Sequence, residues 1–472
     1  MHYPWWHVPL LTAPMLIAIV SVAHVYVSMY AVGGGLFLAA ETQHARRTGD
    51  RAYLAYLRDH AKFFILLTVV YGAITGVGIW WTIGLASPLA TETLIHAFVF
   101  GWAIEYVFFA VELAAAFVFY YYWDRLAPRT HVRIGWIYAG AAWISLVLIT
   151  GITAFMLNSG RWPQTHAFWD GFFNPQFLPQ TLARTGGALL LASLYVNLHA
   201  ALRIREPGLL AVVARRAARP GLLGAALVAL GSLWWYAALP ASARLALVGA
   251  AALNILVMVV LGASGVVLAM LYLGPYRRPG WVTPGFAILL FCFGLAGVGA
   301  GEFVREAVRK PFIIHDVIYG NQIWKDEVES LRGRGYLAGG VWTRAWLAAR
   351  HPEVVTPGGA VDESALAALP AEARLRIGEV LFEHHCNDCH AARAGLSAVA
   401  HLAGGWTDEM LRQLVLHPER VQFFMPPWAG TLAEARLLQE YLGSIAEPFP
   451  AGLPRGDQFK AEPGAGGRAD AR

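Results

Sequence analysis

Two cysteines and a histidine near the C-terminal end of the chain carry the clearest chemical signal. Residues Cys386-Asn387-Asp388-Cys389-His390 have the spacing C-x-x-C-H. This spacing is typical of a c-type haem attachment site, where two thiols bond the porphyrin and the adjacent histidine ligates the iron. A second axial ligand is needed, and Met425 follows His390 by 35 residues. Because a thioether opposite an imidazole raises the potential of the iron, the pattern predicts an electron-transfer haem c held by Cys386, Cys389, His390 and Met425.

The residues around this motif resemble a minimal class I cytochrome c domain. Gly378-Glu379-Val380-Leu381-Phe382 precede the motif, and Gly430-Thr431 and Tyr441-Leu442 follow it. With these flanks, a chance C-x-x-C-H in an unrelated chain is the less favoured interpretation. The resemblance covers about 372–447 and implies that this part of the chain matures outside the cytoplasm, where haem c is attached.

Most of the chain has the composition of a membrane protein. Of its 472 residues only 14% are charged and 18 are Trp, and the mean hydropathy is +0.48. This composition predicts an all-α, polytopic membrane helix bundle with a C-terminal class I cytochrome c domain. We count about eight apolar runs long enough to cross a bilayer, at 10–40, 63–86, 94–122, 134–157, 181–202, 221–239, 245–273 and 285–307.

Basic residues alternate between successive loops. Every second loop is basic: the four loops 43–62, 123–133, 203–219 and 274–284 together hold fifteen Lys and Arg residues. The loops between them, 87–93, 158–180 and 240–244, together hold two. By the positive-inside rule both termini lie outside the cytoplasm, and haem c attachment requires the same side independently. The expected location is the bacterial inner membrane, with the cytochrome c domain periplasmic. The net charge of +5 thus reflects membrane topology. The lipid bilayer is an expected partner, and nucleic acid is not.

Composition divides the chain into four parts. A transmembrane domain at 1–308 is followed by a connector at 309–371, the cytochrome c domain at 372–447 and a tail at 448–472. The tail is rich in Gly, Pro and charge, which predicts disorder. The connector is expected to dock rather than to act as a free tether because it carries the aromatic residues Phe312, Tyr319, Trp324, Tyr336, Trp342 and Trp346.

Ionisable residues within the spans are costly to bury and are therefore candidates for function. His24 lies in the first span among apolar neighbours. An imidazole is the commonest axial ligand of haem iron, which makes His24 a candidate ligand. The alternative is a core histidine bonded to a backbone carbonyl, and position alone leaves both open.

Two carboxylates in the third span share one helical face. Glu105 and Glu112 are seven residues apart, which is two helical turns. Buried carboxylates that alternate between neutral and charged forms suit a proton path. The alternative is packing against waters or a partner helix.

A charged cluster lies at the end of the last span. Glu302 and Glu306 are spaced i, i+4 on one face, with Arg305, Arg309 and Lys310 around them. Cations in this position, Arg309 among them, could pair with haem propionates. The alternative is a cluster that snorkels at the membrane boundary.

Three stretches of the membrane region resemble subunit I of cytochrome bd-type terminal oxidases. Glu112 precedes Tyr122-Trp123-Asp124-Arg125-Leu126, similar to the family's carboxylate followed by Gly-Trp-Asp-Arg-Leu. The stretch from Glu306 to Phe312, Glu-Ala-Val-Arg-Lys-Pro-Phe, is similar to the family's Glu-x-Gly-Arg-Gln-Pro-Trp. His24 precedes Ala40-Glu41-Thr42 much as the family's histidine precedes Met-Glu-Thr. The resemblance covers about 1–315.

The resemblance implies roles for these residues. His24 matches the axial ligand of the oxygen-reducing haem, of type d or b, and Glu306 matches the ligand of a high-spin haem b. Glu112 matches one carboxylate of the site and its proton path, and Glu105, one residue out of register, matches the other. Subunit I of this family works with a second subunit, so a subunit II-like membrane chain is an expected partner.

The chain also departs from the family's pattern. The family holds a low-spin haem b with a histidine and a methionine. The histidine position falls near Ala183-Arg184, where this chain has no histidine, and the methionine is kept as Met258, which is expected to be a packing residue once the haem is lost. The family's arginine two residues before the methionine is Leu256 here, and its long quinol-binding loop between spans six and seven is reduced to 240–244. The loss of the histidine, the arginine and the loop together predicts that the quinol-oxidising part is missing and that electrons arrive through haem c.

The favoured hypothesis is a bd-like oxygen reductase that receives electrons through its own haem c from a periplasmic donor such as a cytochrome c. The alternative is a non-catalytic relay subunit of a larger respiratory complex, passing electrons between periplasmic cytochromes and membrane cofactors or quinone. A third hypothesis is a scaffold that has lost its membrane haems. Nitric oxide in place of oxygen stays open as the substrate.

Overall fold

Eight long apolar helical segments make up the membrane part of the structure, a computed structural model that describes residues 6, 8 and 10–448. Within that part of the chain the segments are Ala13–Thr48, Arg51–Ala86, Val99–Tyr121, Pro128–Ala154, Phe177–Arg203, Pro207–Ala237, Ala251–Arg277 and Pro284–Ala307. They confirm the eight predicted spans, and the chain is an integral membrane protein. The predicted disordered tail, 448–472, lies outside the described residues apart from Pro448.

The helices of the membrane part are labelled α1 (Ala13–Thr48), α2 (Arg51–Ile65), α3 (Gly72–Ala86), α4 (Pro88–Ala97), α5 (Val99–Tyr121), α6 (Pro128–Ala154), α7 (Trp162–Thr165), α8 (Phe168–Phe172), α9 (Phe177–Arg203), α10 (Pro207–Ala237), α11 (Ala241–Gly249), α12 (Ala251–Leu271) and α13 (Pro284–Ala307). Two π-helical segments, Leu66–Tyr71 and Tyr272–Arg277, continue α2 into α3 and extend α12, and a 3-10 turn covers Pro279–Trp281. The remaining elements are β1 (Phe312–Ile314), β2 (Ile318–Tyr319), α14 (Val328–Arg334), α15 (Tyr336–Gly339), α16 (Val341–Arg350), α17 (Glu363–Ala368), α18 (Ala371–His385), α19 (Val399–Leu402), α20 (Asp408–Leu416), α21 (Pro418–Val421) and α22 (Leu432–Ile445), with 3-10 turns at Lys325–Glu327 and Pro352–Val354.

The spans extend further into their basic flanks than hydropathy predicted. The sixth span, expected at 221–239, begins at Pro207, so most of the predicted loop 203–219 is helical. The carboxylate of Glu206 caps this helix by accepting the N–H of Gly208 at 2.7 Å, and proline suits the first helical position. Arginines tolerate this extension because their charged ends reach water while their stems cover apolar surface.

The two ends of the bundle differ in chemistry. We call the end with the α1–α2, α5–α6 and α9–α10 turns the arginine-rich end, and the end where α6 and α13 finish the hairpin end. Strands β1 and β2 pair antiparallel at the hairpin end, with Phe312 opposite Tyr319. The structure is mostly helical, as predicted, and this two-stranded hairpin departs from the all-α prediction because its run of β-branched residues favours strands. It packs on Phe98 and Phe155 of the bundle through Ile313, Ile314, Val317 and Ile318.

Small residues bring the central helices into close contact. Gly186 of α9 lies against Gly224 of α10, and Gly231 of α10 lies against Ala183, so a side chain at any of these glycines would overlap the facing backbone. Gly33 of α1 meets α9 in the same way at Ala188. Such contacts are the usual basis of close helix packing in membranes, and they leave no space for a cofactor between α9 and α10 at these levels.

The residues after the hairpin belong to the C-terminal core. Leu331 and Tyr336 pack in one buried cluster with Leu381 and Leu438, so the expected boundary at 371/372 does not coincide with a break in packing. Glu434 of α22 ties the two parts together by accepting the backbone N–H of Tyr336 at 2.9 Å and of the next residue at 2.7 Å. The core of this C-terminal unit spans about 323–445.

Candidate functional site

The C-x-x-C-H motif follows the C-terminal end of α18 and forms a tight turn. The N–H of His390 donates to the carbonyl of Cys386 at 3.0 Å. The Nδ1 atom of His390 lies 2.9 Å from the carbonyl oxygen of Ser397. A carbonyl can only accept, so Nδ1 carries the proton and Nε2 is the atom that would hold iron. Metal-ligating histidines commonly have this second hydrogen bond, and the turn therefore fits a covalently attached haem.

Burial keeps the two cysteines and the histidine of the motif in their neutral forms. Burial raises the pKa of Cys386 and of Cys389 to about 12 each, with a contribution from the neighbouring thiol in the case of Cys386. Burial also lowers the pKa of His390. The imidazole is therefore in the neutral form that binds metals, and neither cysteine forms a disulfide.

The predicted second ligand of haem c, Met425, lies in the loop between α21 and α22. Its N–H donates to the carbonyl of Gln422 at 2.9 Å, and its side chain is half-buried. The following Trp428 is buried and donates its indole N–H to the carbonyl of Thr431 at 3.2 Å. This anchors the end of the Met425 loop, and the axial role of Met425 stays a prediction.

A buried ion pair joins the haem c motif to the last membrane helix. Lys310, three residues after α13 ends, binds the carboxylate of Asp388, which lies between the two cysteines of the motif. Burial alone would lower the pKa of Lys310, but the carboxylate of Asp388 raises it above the usual value for a lysine. The lysine is therefore charged, and the pair holds the motif beside the end of α13.

A second contact joins the same motif loop to the start of the first membrane helix. The N–H of Leu396 donates to the carbonyl of Leu10 at 2.8 Å, and Leu10 and Gly395 form a parallel bridge. Leu10 precedes α1, which carries His24. The C-x-x-C-H motif and the loop after it thus contact the segment that precedes α1 and the segment that follows α13, at the hairpin end of the bundle.

The predicted membrane ligand His24 is oriented by a threonine of α3. The Thr75 hydroxyl donates to the carbonyl of Tyr71 at 2.9 Å, so its oxygen accepts from Nδ1 of His24 at 3.1 Å. Nε2 of His24 is then unprotonated and is the atom that would hold iron. The neighbour on α3 is Gly76, where a side chain would approach the imidazole. The site fits an axial haem ligand, and this role stays a prediction, because the imidazole also has a hydrogen bond to the backbone of Gly72, as the alternative of a core histidine expects.

The two carboxylates of α5 each bind a hydroxyl of α6. Ser145 donates to Glu105 at 2.6 Å, and Tyr138 donates to Glu112 at 2.9 Å. The Tyr138 oxygen also lies 3.1 Å from the carbonyl of Ala31 on α1. The carboxylates therefore face the interface of α5 with α6 and α1, as their shared helical face predicted.

Glu306, the predicted ligand of a high-spin haem b, lies beside Arg309. The guanidinium of Arg309 binds Oε2 of Glu306 and donates to the carbonyl of Ile313 at 3.0 Å. Arg309 is buried, and its Nε has no hydrogen-bond partner. Oε1 of Glu306 is thus the oxygen that would hold iron. The contacts seen for Arg309 are to protein rather than to a propionate, and its propionate role stays a prediction.

His24 and Glu306 lie at different depths. Val22 of α1 faces Gly299 of α13, and the two helices run in opposite directions. At about 1.5 Å per residue, Glu306 lies about 13 Å nearer the hairpin end than His24. The arrangement suits two successive cofactors between the haem c motif and the bundle centre.

The family's low-spin haem b position is filled by other side chains. Arg184 donates to the hydroxyls of Thr150 and Thr153 on α6 at 3.2 and 3.0 Å. Met258 is 68% exposed on α12, which corrects the expectation that it packs in the core. The family's two ligand positions therefore hold an arginine bonded to α6 and a methionine exposed on α12.

A buried histidine pair escaped the sequence reasoning. His60 and His199 contact each other at the arginine-rich end, with Tyr30 and Asp59 on either side. His60 lies inside a segment interpreted as a basic loop, and the two histidines are 139 residues apart. No local signal in the sequence could have joined them.

The fold and these sites define an integral membrane helix bundle with candidate haem ligands in its first and last spans. Residues 13–242 match the family model described as Cytochrome bd terminal oxidase subunit I. This part of the chain is therefore similar to a family whose name describes a subunit of a membrane terminal oxidase.

A solved structure agrees with this family at the level of the fold. The chain is similar to a chain of the bd oxidase from Geobacillus thermodenitrificans, with a TM-score of 0.54 and 17% identity. The match covers 64% of this chain and 87% of that chain, and it supports a bd oxidase-like fold. Comparison with curated proteins found no match.

Proposed function

We propose that this protein is a bd-like oxygen reductase subunit that receives its electrons through its own haem c. The observation that carries the proposal is the buried Lys310–Asp388 pair, which joins the C-x-x-C-H turn to the segment after Glu306. A free-swinging cytochrome domain would not need a buried ion pair at this point. The connection between α10 and α12, where the family has its long quinol-binding loop, is short. This also supports entry of electrons through haem c rather than from quinol.

The chain's own residues divide the work. Cys386 and Cys389 would anchor haem c, and His390 and Met425 would hold its iron. In the bundle, Glu306 would hold a high-spin haem b and His24 a second haem, of type d or b. Bound haem supplies the electron storage and the oxygen chemistry, while the protein sets the ligands and their spacing.

Proton supply falls to the carboxylates of α5. Glu105 and Glu112 lie two turns apart, about 10 Å along the helix, and each accepts a hydrogen bond from a hydroxyl of α6. Tyr138 connects Glu112 to α1, the helix of His24. These carboxylates can therefore take up and release protons close to the site where oxygen is reduced.

The positive-inside rule supports a periplasmic position for the C-terminal unit. The electron donor is then a periplasmic protein such as a soluble cytochrome c. A subunit II-like chain would cover part of the apolar surface that α3, α5 and α12 expose, for example at Phe100, Tyr106 and Met258. The remainder faces lipid.

Anaerobic rapid-mixing spectroscopy tests the order of electron flow. Reduced soluble cytochrome or mediator is mixed with the oxidised protein without quinol. The proposal requires haem c to reduce first and the membrane haems to follow. In a Met425→Ala variant the first phase should slow, because a haem c of lower potential is a weaker acceptor of electrons from the donor. A relay subunit would show two protein ligands on every iron in the spectra and no oxygen uptake when air is admitted, and a scaffold would show haem c as the single pigment.

A further inference from the structure

The buried histidine pair at the arginine-rich end lies outside the candidate haem sites. His60 of α2 is fully buried, and His199 of α9 is nearly so. Their Nδ1 atoms are 3.2 Å apart. The rings of Phe63 and Tyr56 pack around them, with the Phe63 ring stacked 4.7 Å from His199. The two imidazoles are thus buried among aromatic side chains, where a polar atom without a hydrogen bond would destabilise the fold.

Both nitrogens of each ring have a partner, and the partners form one line. Nε2 of His60 lies 3.0 Å from the hydroxyl of Tyr30, and Nε2 of His199 lies 3.7 Å from the carboxylate of Asp59. The order is therefore Asp59, His199, His60, Tyr30. A histidine that only fills space needs one hydrogen bond, whereas each of these rings bridges two groups.

The chemistry of neutral imidazole gives this line two complete hydrogen-bonding states. Each ring has one N–H and one acceptor nitrogen. In one state Tyr30 donates to His60, His60 donates to His199, and His199 donates toward the carboxylate of Asp59. The 3.7 Å between His199 and Asp59 is longer than a direct hydrogen bond, so this step requires a bridging water. In the other state Asp59 is protonated and every bond points the opposite way. A proton that enters at Asp59 and leaves from Tyr30 converts the second state into the first, so no charge has to stay in the buried part.

One end of the line reaches the surface. Asp59 is 37% exposed and accepts from Nε of Arg203 at 2.9 Å and from its terminal nitrogen at 3.3 Å. This surface belongs to the arginine-rich end, which the positive-inside rule assigns to the cytoplasm. Protons from the cytoplasm can therefore reach the carboxylate of Asp59 directly.

The other end lies in the bundle centre. Tyr30 is fully buried on α1, six residues from His24, which is about 9 Å along the helix. The ring of Phe64 lies between Tyr30 and Tyr138, with ring centres 5.2 and 5.5 Å away. Tyr138 donates to Glu112. The last step from Tyr30 to the Tyr138–Glu112 pair requires a bridging water.

A metal site is a poorer explanation of the pair. A structural zinc needs four ligands, and the described residues contain no group of three or more His, Cys, Asp or Glu arranged to hold a metal. The Asp59 carboxylate approaches the far nitrogen of His199, away from His60. The two imidazoles therefore lack further ligands around their shared contact.

We propose that Asp59, His199, His60 and Tyr30 form a proton-conducting line from the arginine-rich surface into the bundle centre. The line rests on the proposed function, because oxygen reduction there consumes protons from that side. Each proton taken up at Asp59 is matched by one released from the Tyr30 hydroxyl toward Glu112. The number of protons on the four residues is therefore unchanged once their N–H and O–H groups have returned to the starting orientation. These residues do not touch the candidate haem ligands, and they act by supplying protons.

Three variants test the line. Tyr30→Phe removes the terminal hydroxyl and keeps the ring, and His60→Phe removes the central relay and keeps an aromatic side chain. Tyr195→Phe is the matched control, because its ring stacks on Tyr30 at 4.1 Å but its hydroxyl is not part of the line. Each protein is reconstituted in vesicles with a pH indicator at the arginine-rich face, and proton uptake is followed as the membrane haems are reduced electrochemically. Oxygen uptake is measured on the same samples.

The expected result is a loss of about 10²-fold in the rate of proton uptake in Tyr30→Phe and His60→Phe, the lower end of the effect of a positioned proton-transfer group. Haem spectra should be unchanged, and Tyr195→Phe should behave as wild type. Unchanged uptake in His60→Phe, or equal loss in Tyr195→Phe, would overturn the line. If the wild type consumes no oxygen, the oxidase proposal fails, while reduction-coupled proton uptake still decides for or against the line.

Discussion

Replacing Lys310 by methionine should loosen the C-terminal unit from the membrane bundle. The two side chains of the Lys310–Asp388 pair are only 15% and 5% exposed. Methionine keeps the length of the lysine stem but leaves the Asp388 carboxylate buried without its cation. Removing one partner of a buried ion pair costs about 3–5 kcal/mol. At about 1.4 kcal/mol per factor of ten, the docked state should weaken by about two to three and a half powers of ten.

Hydrogen exchange and electron transfer measure this effect separately. Exchange of the backbone amides at 386–397 should become faster in Lys310→Met, since the Leu10–Leu396 hydrogen bond alone, worth about 1 kcal/mol, cannot hold the loop in place. Electron passage from haem c to the membrane haems should slow in single-turnover experiments. Covalent attachment of haem c should persist, because the cysteines and His390 are untouched.

Two further variants make this reasoning open to refutation. Lys325→Met breaks the exposed pair with Asp316, whose side chains are 49% and 56% exposed, and should cost no more than about 1 kcal/mol. Combining Lys310→Met with Asp388→Leu removes both buried charges and should recover most of the docking. If Lys310→Met exchanges and transfers electrons like the wild type, or if the double variant is no better than the single one, the ion pair does not hold the unit in place.

Three other outcomes are expected. Thr75→Val should remove the partner that orients His24 and lower the affinity for the membrane haem about 10- to 100-fold. The haem content of the purified variant measures this loss, and full retention of the haem in the presence of a haem competitor would contradict the role of Thr75. Met425→Ala should lower the haem c potential while the covalent attachment persists, and an unchanged potential in a redox titration would exclude Met425 as the ligand. Glu434→Gln should cost about 1–3 kcal/mol in unfolding of the C-terminal unit, because an amide nitrogen cannot accept the backbone N–H groups that the carboxylate binds; Glu440→Gln on the same helix, at an exposed ion pair, should cost much less, and equal costs would contradict the reasoning.

The features that could be predicted from the sequence are those that depend on a local pattern of residues. Hydropathy predicted all eight spans because each must bury about 20 apolar residues in the bilayer. The C-x-x-C-H spacing and the paired positions Glu105 and Glu112 are likewise local, and the structure directs both carboxylates to one interface. Resemblance added His24 and Glu306, whose positions alone left two interpretations open.

The features that were missed depend on contacts between distant segments. His60 and His199 meet only because α2 and α9 pack side by side, which no periodicity reports. The β1–β2 hairpin was absorbed into an aromatic connector, because five paired residues are too few to produce an alternating pattern. The helical start of α10 at Pro207 was hidden by arginines that lower the local hydropathy, although helix and charge are compatible at a membrane boundary.

Oxygen uptake without quinol tests the central claim most directly. The purified complex is given a reduced soluble cytochrome or mediator, and uptake is compared between the wild type and a Cys386→Ser/Cys389→Ser variant that cannot attach haem c. The account predicts cyanide- or nitric oxide-sensitive uptake in the wild type, its loss in the cysteine variant, and its loss in His24→Ala with haem c retained. Uptake that requires quinol, or that continues unchanged without haem c, would contradict it.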